Sequence, residues 1–265
     1  MFKNSSHFEM NPSLENHIYS TTKAEMRDLR ERSFESDTEY QDAGEVRKKI
    51  GEFELVLNYH QTELEFTVKG FEDTPIYEVE QLYIINSISG EKAGLDDIFK
   101  DPPIILFAPT AINQASLNYG EFLLIAGDVL NPYKILTIYH EAGHFHFSMS
   151  DKEVKNDEIF SRATDLSDIR KKVHFKEEIS VAEALKLLED EERSWEFALS
   201  HFENFIGDNK LLSESEVKNF IHKYCLAGYS ILVKKAAMKT EKASELISKT
   251  VEETESFVDD LNKMA

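Results

Sequence analysis

Residues 135–147 set two histidines and one glutamate, His140, Glu141 and His144, among Ile135, Leu136, Ile138, Phe145 and Phe147. Buried polar groups without partners are costly. Any fold that buries this segment must therefore supply those three side chains with partners. Residues four apart on a helix lie about 40° from each other around its axis. His140 and His144 thus point two imidazoles at one ion from successive turns. Zinc accepts neutral imidazole at about 2.0–2.1 Å and leaves room for a further ligand and a water. Glu141 lies about 100° from His140, so it misses the ion but reaches a water bound to it. Zinc lowers the pKa of such a water to about 7, and a neighbouring carboxylate takes its proton. The pattern is that of metal-assisted hydrolysis, with His140 and His144 as zinc ligands and Glu141 as general base. Gly143 fits the same reading. A helix-interior glycine costs about 1 kcal/mol and marks a close backbone approach.

The remaining ligand lies elsewhere. An HExxHxxGxxH pattern requires Gly at 147 and His at 150, where this chain has Phe147 and Ser150. A carboxylate on a second helix is the common alternative. Over residues 181–206 an apolar stripe runs through Val181, Ala184, Leu188, Trp195, Leu199, Phe202 and Ile206, with one turn missing between Leu188 and Trp195. Acids stand in the gap. Relative to Trp195, Glu191 projects about 40° to one side and Glu192 about 60° to the other. A metal compensates a carboxylate in a buried stripe. Angle slightly favours Glu191, with Glu192 as the alternative; without a metal, the acids would form a solvated face or pair with Arg193.

The order of elements suggests an α+β fold. Residues 22–50 read as a helix, and alternation over 53–59 and 63–69 suggests a β-hairpin. Residues 75–89 fit strand or helix. Runs at 104–107 and 122–125 read as strands, the latter with an edge open to an added substrate strand. Asn131 caps a helix that has Pro132 at its first position, carries the histidines and frays at 148–151. Ser180 with Glu183, and Ser213 with Glu216, form capping boxes for later helices. The chain divides into a charged helical extension, residues 1–50, and a domain over 51–265.

Composition narrows the partners. Fifty Asp and Glu against thirty Lys and Arg give a formal charge of −20. Such a surface repels phosphate backbones, so nucleic acid is not expected as a partner. It serves solubility or, as the sharper alternative, attraction for a basic protein substrate. No apolar run approaches the roughly 20 residues that span a bilayer, and the N-terminus lacks a signal-like core. The single cysteine, Cys225, fits a reducing compartment. A cytoplasmic protein without membrane contact is expected.

The segments HEAGH at 140–144 and EERSWEFAL at 191–199 resemble the two signatures of the ImmA/IrrE-type metallopeptidases, a branch of the gluzincins. In that family an HExxH helix is followed by ExxANxFA, whose first glutamate is the third zinc ligand. Placing Phe197 and Ala198 on the family's Phe-Ala puts Glu191 at the ligand position and Ser194 on the small residue. Trp195 stands where the family has Asn or Asp. The resemblance covers about residues 100–206. It implies a zincin-like fold, a Zn2+ cofactor held by His140, His144 and Glu191, and Glu141 as base. It further implies a protein or peptide substrate, with a transcriptional repressor as one such substrate. The alternative is a regulatory binding module that keeps a structural zinc. His146, His174, His201, Tyr139, Cys225, Asp165 and Asp168 are read as structural or surface residues. Oligomeric state is not readable from the chain.

Overall fold

In the computed structural model, residues 23–62, 71, 74–99, 103–111, 117–118, 122–153 and 157–237 are described. Among the described residues one helix precedes a seven-stranded mixed sheet and the other helices follow it, an α+β arrangement. Strand β2 (Phe53–Gln61) is central to its antiparallel half, between β1 (Ala43–Ile50) and β3 (Tyr77–Asn86). The short β4 (Lys92–Gly94) adds to β3. Next along the sheet come β5 (Ile104–Ala108), β7 (Phe122–Ala126) and β6 (Leu117–Asn118), with β5 and β7 parallel. The sequences IILFA and FLLIA of that parallel pair are apolar throughout because both faces are covered. Period-two alternation splits them. Ile105, Phe107, Leu123 and Ile125 enter the main core, whereas Leu106, Ala108, Leu124 and Ala126 pack with Phe71 and Ile76 in a second cluster.

Helix α1 (Lys23–Phe34) precedes the sheet. After it come α2 (Pro132–Glu153), α3 (Asp157–His174) and α4 (Val181–Phe202). The short α5 (Glu214–Asn219) leads through a π-helical stretch, Phe220–Leu226, into α6 (Ala227–Ala237). The capping residues act as the sequence suggests. Asn131 Oδ1 accepts from the Tyr133 N–H at 3.0 Å, and Ser180 and Ser213 form reciprocal boxes with Glu183 and Glu216. Leu136, Tyr139 and Ala142 of α2 share the main core with Ala184, Trp195, Ala198 and Phe202 of α4.

Several expectations change. The helix expected over 22–50 stops at Phe34, and Ala43–Ile50 is a strand paired residue for residue with β2. Its charges mask a period of two. Val46, Lys48 and Ile50 are half-buried between exposed neighbours, and Arg47 reaches Glu54 across the hairpin at 3.1 Å. The division expected after residue 50 therefore falls in the turn of a hairpin, and residues 43–50 belong to the sheet. The expected partner of β2, residues 63–69, lies outside the described residues; β2 pairs with β1 and β3 instead. The ambiguous stretch 75–89 is strand β3. Strand β7 has no open edge at Leu123 and Leu124, since β5 lies on one side and β6 on the other. Helix α2 continues to Glu153 rather than fraying at 148.

The connection between β7 and α2 is tied to the chain following α1. Asp128 is fully buried and accepts from Ser36 Oγ at 2.6 Å, from the Tyr40 hydroxyl and from the Leu130 N–H at 2.8 Å. Asn131 Nδ2 donates to the carbonyls of Arg32 and Glu35 at 2.7 and 3.1 Å. These bonds fix the start of the helix that carries the histidines. Asp128→Ala strands three donors and is expected to destabilise the protein by about 2–4 kcal/mol, with a matching fall in the urea midpoint at unchanged m-value.

Candidate metal centre

Helices α2 and α4 cross at Gly143. A Cβ built there would lie 2.9 Å from the Ser194 carbonyl oxygen, 3.0 Å from Ser194 Cα and 3.2 Å from Phe197 Cβ. The two backbones thus meet with no side chain between them. This contact accounts for the small residues at both 143 and 194. It also brings the histidines of α2 level with the acids of α4.

Three side chains converge beside that crossing. His140 Nε2 and His144 Nε2 lie 3.1 Å apart. Glu191 Oε2 is 3.2 Å from His140 Nε2, and Glu191 Oε1 is 3.4 Å from His144 Nε2. One ligand atom from each of the three lies within 4.8 Å of the others, a spread that one metal ion can bridge. Glu192, the alternative to Glu191, is not among the converging donors of the described residues. His140 and Glu191 are buried, at 5% and 7% exposure. The His-His-Glu group can hold a metal ion.

Burial makes the group costly without a cation. Desolvation opposes charge on His144, yet Asp190 and Glu191 outweigh it and raise its pKa to about 10. Desolvation likewise opposes ionisation of Glu191, but His140 and His144 hold its carboxyl well below the usual range. In the metal-free protein the centre thus stabilises itself by taking up a proton. The three donors are also placed so that one metal ion could satisfy them together. The His140 ring is further held by Trp195, stacked at 4.0 Å between centroids and 23° between planes.

Asp190, Arg170 and Tyr229, which the sequence does not single out, complete the surroundings with Ser194. Asp190 Oδ2 lies 3.3 Å from His144 Nδ1, Ser194 Oγ lies 2.9 Å from the same nitrogen, and Arg170 of α3 reaches Asp190 at 2.8 Å. Tyr229 of α6 faces Glu191, and burial with that carboxylate pushes its phenol well up. A π-helical stretch precedes Tyr229 and changes the register of the following helix, so a regular helical period places this residue on the wrong face.

The weaker candidates stand apart. Exposed His146 and His201 both stack on Phe197. His174 ends α3 beside Phe175, and Tyr139 packs on Phe202. Arg193 lies over the Phe147 ring at 3.6 Å rather than beside the acids. Asp168 pairs with Lys171 on the surface, and the Asp165 side chain lies outside the described residues. Cys225 sits in the π-helical stretch, its thiol pushed up by burial. Among the described residues no helix is long and apolar enough to cross a membrane.

The fold and the site together define a class: an α+β protein with a buried His-His-Glu group able to hold a metal. Comparison of the chain with models of protein families, with curated proteins and with solved structures gives no match in any of the three.

Two measurements probe the centre. Gly143→Ala adds a methyl against the Ser194 backbone, which cannot yield as a flexible side chain would. It is expected to cost about 1–3 kcal/mol despite alanine's better helix propensity and to weaken metal binding, read by chemical unfolding and chelator competition. Loading the apo protein must expel the proton that His144 holds up to about pH 10. Titration calorimetry at pH 7 in buffers of different ionisation enthalpy should register release of about one proton, with affinity falling up to ~10-fold per pH unit on acidification.

Proposed function

We propose that the chain is a zinc-dependent peptidase that hydrolyses a peptide bond in a protein substrate. The observation that carries this reading is the open donor set. Three side chains among the described residues converge on one point, and Glu141 lies beside them without joining the set. Structural zinc sites are closed by four protein ligands, whereas catalytic ones take three and keep a position for water or substrate. A zinc ion held by His140, His144 and Glu191 supplies a Lewis acid that polarises the scissile carbonyl and acidifies water.

The protein's own groups account for the proton movements. Glu141 is half-buried on the turn that carries His140, and its charge is felt by both His144 and Tyr229. Its carboxylate takes the proton of the attacking water and passes it to the leaving amine. The likeness of HEAGH and EERSWEFAL to ImmA/IrrE-type peptidases supports the same assignment. A charge of −20 favours encounter with basic proteins and disfavours nucleic acid. A DNA-binding transcriptional repressor is a substrate of that chemistry.

Elemental analysis of the purified protein should return one zinc per chain. Glu141→Gln should retain that zinc while abolishing cleavage, by ~10²–10⁴-fold if the carboxylate acts as base. His144→Ala should lose the metal. Profiling of protein N-termini in cells expressing wild type or Glu141→Gln reads the activity without knowledge of the substrate. Termini present only with wild type are the expected result; identical profiles would leave a structural zinc in a binding module.

A further inference from the structure

Helix α3 sends one side chain to the metal centre from outside the ligand set. Arg170 Nη2 lies 2.8 Å from Asp190 Oδ2 and 3.5 Å from Glu191 Oε1, so a single nitrogen serves both carboxylates. Asp190 Oδ2 in turn lies 3.3 Å from His144 Nδ1. Ser194 Oγ gives its one hydrogen to the Asp190 carbonyl at 3.0 Å and presents a lone pair to His144 Nδ1 at 2.9 Å. With two acceptors before it, Nδ1 must be the donor. A hydrogen is therefore fixed on Nδ1, so the proton given up to a metal is the one on Nε2, the nitrogen that faces His140 and Glu191.

The two histidines are held by different means. Among the described residues His140 Nδ1 is buried without a hydrogen-bond partner, and its ring is stacked on the face of Trp195. Among the described residues only His144 is held by hydrogen bonds at Nδ1. Its carboxylate partner is adjacent in sequence to the ligand Glu191, and Arg170 is the cation that lets these two acids stand side by side at low exposure.

We infer that Asp190 and Arg170 are positioning residues of the metal centre: Asp190 orients His144 through Nδ1, and Arg170 fixes Asp190 and Glu191 together so that α3 governs how tightly the ion is held. The inference rests on the metal-binding reading of His140, His144 and Glu191, and not on the reaction proposed for them. Loss of either residue leaves all three donors in place but lets His144 and Glu191 turn.

The test uses the full chain, with zinc affinity from chelator competition and the visible absorption of the cobalt(II)-loaded protein. Asp190→Asn and Arg170→Ala are expected to bind zinc ~10–100-fold more weakly than wild type. Saturated with cobalt, they should show altered band positions or intensities, which a loss of general stability would not produce. Because one nitrogen of Arg170 makes both contacts, Arg170→Lys is expected to recover most of the affinity. The Arg170 side chain is 47% exposed, so its variants keep the test decisive if Asp190→Asn does not fold. Variants matching wild type within twofold, with unchanged cobalt spectra, overturn the inference alone. A wild-type chain that binds neither zinc nor cobalt overturns the metal centre and the inference with it.

Discussion

Helices α2 and α4 touch backbone to backbone where Gly143 meets Ser194, and the metal centre depends on that contact. The approach leaves no room for a Cβ at 143, with the Ser194 carbonyl oxygen 2.9 Å from where it would be. Helices separated by ordinary side chains lie about 8–10 Å apart between axes. At that spacing the imidazoles of one helix and the carboxylate of the other would have to stretch toward each other. Here the short separation lets His140, His144 and Glu191 meet in compact geometry. Glycine is a poor helix former, and its cost is offset by a crossing that other residues cannot make.

Electrostatics then decide what this crossing can hold. Asp190 and Glu191 are both buried, and a pair of adjacent buried acids is unstable without compensating charge. Two histidines face them from α2, and Arg170 comes from α3. Without a metal the balance is restored by a proton on His144, whose pKa is raised to about 10. A divalent ion replaces that proton and supplies more positive charge at the same point.

The scaffold serves this site from a distance. Strand β7 delivers the chain into α2, and the hydrogen bonds of Asp128 and Asn131 fix the direction of that entry. Sheet residues Ile105, Phe107, Leu123 and Ile125 share one core with Leu136 and Tyr139 of α2, so the helix is held along its buried side. His140 and His144 follow Leu136 on successive turns at the margin of that buried side, facing Glu191 of α4.

Much of this was legible in the residues themselves. Local chemistry determined the caps at Asn131, Ser180 and Ser213, the strand character of the runs before α2, the pairing of His140 with His144, and the acid gap in the stripe of α4. Each depends on spacing within a few turns, which a sequence states directly. What the tertiary structure alone decided involves residues distant in the chain. Residues 43–50 look helical by composition, and only pairing with 53–60 makes them a strand. Angles about α4 left Glu191 and Glu192 both open, and the position of α2 selects Glu191. Arg170 and Tyr229 look like ordinary surface residues because their partners lie on other helices, one of them reached through a π-helical change of register. A sequence encodes a side chain's chemistry and its face on its own element, but which charges share a buried volume is settled by how elements pack.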